Sequence, residues 1–434
     1  MPHELKDAML EITLTARQPL ALGVGESAGN LIRTHRHVPG SVLRGALASA
    51  WITEHGEPAT DRGLRRRFLD TFERRVRFSP LFAAGSSVVP LSVLRCAYRG
   101  EPACTQVFVD AASGDERTDC PHCAGPLQRG RGQVEFPEDA EPIQHTTRVA
   151  LTEQGTARDG ALFTREALHH RDASGAPRRF HGLVLGDDPW LAESRPLLLG
   201  GGRSTSGLVD YQAVPGVAVP PAATGRRLIL RLVSPGVLVD AAGRPDDQPD
   251  LALLRELLRV DVRIEQHWVR RERLTGWHSA VDLPKSEEHA VTAGSTYVLD
   301  LADDPDPADL SRLTEHGIGL RRAEGLGWIE LGAWRPPEAP ANTDDTSTSG
   351  MAPEFAARLE KSGHGRPVLA MLREYHSALR RGAAPPARQI LDRPVFAPLK
   401  NDLRTMLIGL LATRPSWIPQ LAEALEIRLK GGHR

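Results

Sequence analysis

The sequence predicts an α+β protein: two tandem βαββαβ units, the first enlarged by an insertion, followed by a helical C-terminal region. Three observations predict it. Residues 10–16 set Leu10, Ile12, Leu14 and Ala16 against Glu11, Thr13 and Thr15, the period of two that marks a half-buried strand. Residues 228–238 repeat that strand at an offset of 216, with Leu228 on Ile12, Leu230 on Leu14, Pro235 on Pro19 and Leu238 on Leu22. Both strands are then followed by the same succession of element types, closed by a glycine-rich loop and a last strand.

In the first unit, "PGSVLRGALASAWI" reads as a helix with Pro39 near its start. Much later, "LLLGGGRSTSGLVDYQAV" supplies a glycine-rich loop and a final strand. In the second unit, "QPDLALLRELL" is helical in spacing and strand-rich sequence runs to "STYVLDL". A helix at "ADLSRLTEH", the loop "GIGLRRAEGLG" and the strand "WIEL" follow. Strand, helix, strands, helix or insertion, loop, strand is the order of a ferredoxin-like unit. The first unit is longer by roughly a hundred residues, the size of a substantial insertion. The expected domains are 1–222 and 223–336, then a Pro-, Ser-, Thr- and Asp-rich linker at 337–352. Residues 353–434 have apolar positions recurring at three and four and are expected to form a helical appendage.

At 434 residues two or three domains are expected, and 40% hydrophobic with 25% charged residues describes a globular chain. A net charge of −1 gives no global attraction to nucleic acid or membrane, so any polyanion site must be a local patch. The cations are overwhelmingly arginine; lysine occurs only at 6, 285, 361, 400 and 430. No run approaches the length of about 18 apolar residues needed for a membrane span. The start, "MPHELKDAML", lacks the apolar stretch of a signal peptide. The cytoplasm is therefore the expected compartment, where cysteines favour metal over disulfides. Cys96, Cys104, Cys120 and Cys123 all fall within 28 positions. The Cys-Pro-His-Cys step forms the tight knuckle a tetrahedral zinc ion prefers. A structural zinc module is expected at about 95–130, with His122 as a substitute for one thiolate. Unconnected thiols, or a disulfide between Cys120 and Cys123, are the alternatives.

The glycine loops fit neither nucleotide fingerprint. The third glycine of a dinucleotide motif counted from Gly317 falls on Arg322, and Leu208 stands where a phosphate-loop lysine belongs. What remains is a tight turn or backbone contact with a polyanion, and two such loops at equivalent places favour the second. His35 and His37 lie two apart and point the same way in an extended chain. They suit either base and acid in RNA cleavage or, beside Arg33 and Arg36, phosphate contact. Residues 62–77 hold seven arginines against Asp70 and Glu73, which reads as a nucleic-acid groove or as a solvated helix face.

"GIGLRRAEGLGWIEL" resembles the C-terminal glycine-rich loop of the RAMP superfamily of CRISPR-associated proteins, and "GGGRSTSGLVDY" is similar to the same loop of an N-terminal domain. "RTHRHVPGSVLRGALA", with Pro39-Gly40-Ser41 before a helix carrying Arg44-Gly45, resembles the family's turn-and-helix. "TGWHSAVDLPKSEEHAVTAGSTYVL", with Gly276-Trp277, Lys285 and Ala293-Gly294-Ser295, is like the subunit of type III effector complexes that grips the 5′ tag of the guide RNA, in its III-D form. The resemblance covers the motifs of residues 8–335. It implies a non-catalytic CRISPR RNA-binding subunit. Its partners would be the guide RNA, a large polymerase/cyclase-type subunit, backbone RAMP subunits and, indirectly, target RNA. The RNA-binding set it implies is His35, Arg36, His37, Ser41, Arg44, Gly201, Gly202, Arg203, Ser204, Trp277, Lys285, Gly317, Gly319, Arg321, Arg322, Gly325 and Gly327. Trp277 is the candidate base stacker, and the paired arginines are expected to face solvent. The rival function is a guide-processing endoribonuclease using His35 or His37. A pure assembly scaffold is the third reading.

Overall fold

The alternation read from the sequence organises the first sheet. Strand Met9–Ala16 (β1) buries Leu10, Ile12, Leu14 and Ala16 and turns Glu11 outward. The structure is a computed structural model. It describes residues 9–24, 30–98, 104, 107–130, 132, 134–135, 143–172, 175–200, 206–217, 221, 225–278, 283–336, 351–380, 387–399, 403–405, 407–408, 411 and 417–431. After the short strand Leu31–Ile32 (β2), helix Gly40–His55 (α1) begins at Pro39 with no side-chain cap and buries Leu43, Leu47 and Trp51. Helix Arg62–Leu69 (α2) starts on Asp61, whose carboxylate accepts the Leu64 N–H at 2.8 Å. It runs on into a π-helical turn, Asp70–Arg74. Strands Arg77–Phe78 (β3), Phe82–Ala83 (β4) and Ser87–Val88 (β5) follow.

The insertion then folds as small sheets of its own. Val93–Cys96 (β6), Phe108–Asp110 (β7) and Leu127–Arg129 (β8) form one of three strands, with β6 central. Val134–Glu135 (β9) pairs with β5. Ile143–Leu151 (β10) and Ala157–Leu168 (β11) make a long hairpin, with β2 parallel to β11. The chain returns to the first sheet through Arg179–Leu185 (β12), Arg195–Leu198 (β13) and Leu208–Pro215 (β14). The strand order is β13-β14-β1-β12-β3, all antiparallel, with β4 also on β12. Between β12 and β13 lies only a 3-10 turn, Pro189–Ala192, where a βαββαβ unit has its second helix.

The second sheet is regular. Arg227–Leu232 (β15) leads to helix Leu251–Leu258 (α3), capped by Asp250, and then to Val262–Trp268 (β16). Arg271–Leu274 (β17), Trp277–His278 (β18), Leu283–Pro284 (β19) and Glu288–Val291 (β20) pair as a side ribbon, β17 with β20 and β18 with β19. Thr296–Leu301 (β21), helix Pro307–His316 (α4, capped by Asp306) and Ile329–Leu331 (β22) complete it in the antiparallel order β16-β21-β15-β22. The offset of 216 holds in register: Leu14 stands opposite Phe180 on β12, and Leu230 opposite Tyr297 on β21. All four side chains are buried at 0% exposure.

The chain divides into two units. One comprises Met1–Pro137, Pro142–His170 and Arg179–Ala339 and holds both sheets; the other comprises Glu138–Glu141, Arg171–Arg178 and Pro340–Arg434. In the second unit, Met351–Lys361 (α5), Gly365–Arg380 (α6), Ala387–Leu391 (α7) and Trp417–Gly431 (α8) enclose a core that includes Phe355, Leu359, Leu372, Leu421 and Leu425. Nearly all of the expected linker lies outside the described residues. Among the described residues, no helix is long and apolar enough to cross a membrane.

Candidate functional site

The two glycine-rich loops hang from equivalent backbone positions. Gly207 N–H donates to the Pro19 carbonyl at 2.9 Å, and Gly327 N–H to the Pro235 carbonyl at 2.8 Å. Each glycine also accepts from the residue at the loop's start, Leu199 and Ile318 respectively, at 2.8 and 3.0 Å. Both sit at positive φ, +98° and +65°, and a Cβ there would lie 2.3 Å from the Leu199 carbonyl or 1.8 Å from that of Ile318. Gly200 and Gly319 likewise abut the carbonyls of Ala21 and Val237, again 216 apart. The glycines therefore serve close approach of the chain to its own strand exits. A phosphate meets the loop from its other side or not at all.

The C-terminal loop is also where the two halves of this unit meet. Gly325 lies against Gly40 at the start of α1, where an added Cβ would stand 2.8 Å from the Gly40 Cα. Arg77 inserts beneath: its guanidinium lies 4.4 Å from the Trp328 ring centroid and donates to the Glu315 carbonyl. Read as one of seven arginines in a surface tract, Arg77 is instead buried. It fixes the loop to the first sheet through a cation–π contact.

Several expected RNA cations are engaged within the fold. Arg321 donates from Nε and Nη2 to Glu324 at 2.9 and 2.8 Å and pairs with Glu288 at 3.2 Å. Lys285 Nζ closes on the same Glu324 carboxylate at 2.6 Å. Arg322 donates to the His316 carbonyl at 3.0 Å. Arg44 reaches back to the Phe72 carbonyl at 2.7 Å and to Glu73 at 2.9 Å. The paired arginines are half-buried, which corrects the expectation that they face solvent. Burial alone would raise the Glu324 pKa, but the hydrogen bonds and charges of Arg321 and Lys285 outweigh it and hold it at about 2. Such a depressed carboxylate stabilises the fold above its ordinary value of 4.5, and the contribution is lost as pH falls toward about 2. Between about pH 5 and pH 3, thermal melts of the wild-type chain should fall more steeply than those of Glu324→Gln; parallel curves would remove this carboxylate from the account.

Arg36 differs. It is exposed, it forms no ion pair among the described residues, and it lies between His35 and His37 just before Ser41, itself exposed on the first turn of α1. That helix start has no side-chain cap; Val42 and Leu43 N–H donate to the Pro39 carbonyl at 3.0 and 3.2 Å, which leaves the Gly40 and Ser41 N–H groups as the ones able to meet an anion. His35 N–H bonds to the Leu22 carbonyl at 2.8 Å, next to the Ala21 carbonyl that Gly200 abuts. The histidine turn and the root of the N-terminal glycine loop thus flank one segment. The two imidazoles lie 5.5 Å apart edge to face, and His37 stacks on Phe82 at 5.3 Å. Burial lowers His35 to about 4, and burial with the neighbouring His35 lowers His37 to about 3. Both are neutral at pH 7, so neither is a ready proton donor. Their neutral burial favours the fold above the ordinary value of 6.5 and less below it.

Gly201, Gly202, Arg203 and Ser204 lie outside the described residues. Of the Trp277 segment, the backbone is placed: Trp277 pairs with Pro284, and Lys285 N–H donates to the Gly276 carbonyl at 2.9 Å. Lys285 thereby joins this ribbon to Glu324 and the C-terminal loop.

The four cysteines come together as the spacing predicts. Their sulfurs lie within 4.8 Å of one another, with Cys96, Cys104 and Cys120 buried and Cys123 exposed. None forms a disulfide. His122 is exposed and outside the cluster. Burial opposes a Cys120 thiolate, but hydrogen bonds from the backbone of Cys123 and His122 more than offset it and bring its pKa to about 7. Four convergent thiols with such a knuckle suit a soft, tetrahedral metal and leave no open position.

No protein-family model and no curated protein matches the chain. Among solved structures, it is similar to a chain of the type III-B Cmr-beta complex bound to cognate target RNA, at 11% identity over 66% of this chain and 86% of that one, TM-score 0.39. It is similar to a chain of the Csm3–Csm4 subcomplex of the type III-A CRISPR-Cas interference complex, at 10% identity over 68% and 94%, TM-score 0.34. It is also similar to a RAMP protein binding different RNA substrates, at 10% identity over 75% and 100%, TM-score 0.30. The motifs of residues 8–335 resemble those of the RAMP-type CRISPR-associated proteins, and the third of these structures is described as a RAMP protein.

Proposed function

We propose that this chain is a non-catalytic RNA-binding subunit of a type III CRISPR effector ribonucleoprotein, a cytoplasmic antiviral assembly, and that it holds the 5′ tag of the guide RNA. Its body would be two ferredoxin-like domains with a zinc-stabilised insertion, and its helical appendage would face a neighbouring subunit. The observation that carries the reading is the junction of uncapped α1 start, exposed Arg36 and paired glycine loops. There, backbone N–H groups and one free guanidinium can take phosphates. Arg321, Arg322 and Lys285 support that surface by fixing the loop, and Arg44 by tying α1 to the π-helical turn. Arg203 and Trp277 are retained as the proposed phosphate and base contacts.

Arg36→Ala should weaken binding of tag RNA and lower the salt slope by about 0.7, the loss of one single-strand phosphate contact. Its melting temperature should stay put, because exposed substitutions seldom exceed about 0.5 kcal/mol. Salt-titrated anisotropy checks both; an unchanged slope would remove Arg36 from the interface.

The endoribonuclease reading needs a proton donor at neutral pH, and the lowering of both histidine pKa values by burial weighs against it. Guide RNA in an assembled complex carrying His35→Ala and His37→Ala should have wild-type length. Uncut precursor in that variant would favour the nuclease.

A further inference from the structure

The geometry points to a second RNA-backbone contact: an arginine ridge on α2, continuous with the loop junction, that takes the phosphates of single-stranded RNA beyond the tag. This rests on the proposed function and extends it. Leu64 and Phe68 turn α2 toward the core, which leaves Arg62, Arg65 and Arg66 on its outer face, at the i, i+3 and i+4 positions that share one face. All three are exposed, as is Arg75 beyond the π-helical turn, and none of the four meets a carboxylate among the described residues.

The acids nearby are already used. Asp61 caps α2, Asp70 pairs with Arg74 at 3.7 Å, and Glu73 pairs with Arg44 at 2.9 Å. Asp188 accepts from Thr71 Oγ1 at 2.6 Å, from Arg67 at 3.1 Å and from the Trp190 N–H at 3.0 Å. Asp187 is exposed beside the ridge. Arg66, Arg67 and Arg75 line one cleft of about 430 Å³ together with Asp70, Asp187 and Asp188. The π-helical turn packs on the 3-10 turn Arg322–Glu324 of the C-terminal loop, so the ridge begins where the proposed tag site ends.

Nucleic acid is favoured over an acidic protein as the occupant. Protein interfaces need an apolar centre, and no large hydrophobic side chain is exposed between 61 and 75 or at 187–189. A row of unpaired guanidiniums with no exposed large apolar side chain among them suits a phosphodiester chain.

The test uses the full-length chain carrying Arg62→Ala, Arg65→Ala and Arg66→Ala together, with a matching triple lysine variant. Two RNAs are titrated over salt: a short one covering only the tag, and one extended at both ends. The alanine variant should bind the short RNA as wild type does, and should lose about 2 from the salt slope on the long RNA. The lysine variant should restore that slope, and all three proteins should melt alike. Wild-type slope on the long RNA in the alanine variant overturns the ridge. So does that result accompanied by loss of the variant from the assembled complex, which would make the ridge a contact for an acidic protein. Failure of the short RNA to bind any of the proteins would contradict the tag site, while the long-RNA difference would still judge the ridge.

Discussion

Replacing Cys120 with serine is expected to release the metal and unfold the insertion. The module's own core is small: a few aliphatics, Leu94, Val107, Val109 and Leu127, packed around three of the cysteines. A core of that size does not sustain a fold without a staple. Structural zinc sites supply on the order of 10–16 kcal/mol of apparent binding energy, all of it folding energy. The damage should also spread. Ala112 of the insertion packs against Ile229 and Val298 of the second sheet, its carbonyl accepts from Arg227 at 2.6 Å, and Phe108 meets Trp334 edge to face at 5.3 Å. Metal analysis should therefore give one zinc per wild-type chain and nearly none in Cys120→Ser. Hydrogen exchange should quicken across 93–129 first and on β15 and β21 next. A metal-free wild-type chain with a protected insertion would sink the zinc assignment.

Gly327→Val is expected to be the most damaging single change in the loop. The new Cβ would stand 1.8 Å from the Ile318 carbonyl, at a positive φ that β-branched residues tolerate poorly. Relief requires breaking the pair of hydrogen bonds that ties Gly327 to Ile318 and Pro235. Strain and lost bonds together cost on the order of 3–5 kcal/mol. Because the loop also carries Gly325 against α1 and Trp328 over Arg77, RNA binding should fall along with the melting temperature. Gly207→Val, its counterpart at φ +98°, should behave the same way in the first half. A Gly327→Val chain that melts as wild type would mean that the loop relaxes freely and does not join the halves.

How much of this was legible beforehand follows from the range of each signal. The strand that opens each sheet was, because its markers are local: alternating apolar residues at 10–16 and 228–232 and a proline that ends each alternation. The cysteine cluster was legible for the same reason. The long hairpin β10–β11 was not read, although the polar turn Thr152–Thr156 between two alternating runs announces it. Of the helix or insertion expected before the first glycine loop, the insertion comes earlier in the chain and the helix is one 3-10 turn, since Asp188 caps it at Pro189 and the chain is extended again by Arg195. Least legible were the arginines. Sequence spacing makes Arg77, Arg321 and Arg322 look like surface cations. Packing of the C-terminal loop onto the first sheet, more than two hundred residues away in the chain, buries Arg77, while Glu324, Glu288 and the His316 carbonyl in the loop's own half engage Arg321 and Arg322.

The central claim is that the loop junction holds guide RNA. It is tested most directly by ultraviolet crosslinking of the assembly purified from its own cells, with the RNA-linked peptides identified by mass spectrometry. The account predicts one class of RNA with a uniform 5′ end, crosslinked within His35–Ser41 and within 317–328. An assembly without RNA, or crosslinks confined to surfaces far from both segments, would contradict it.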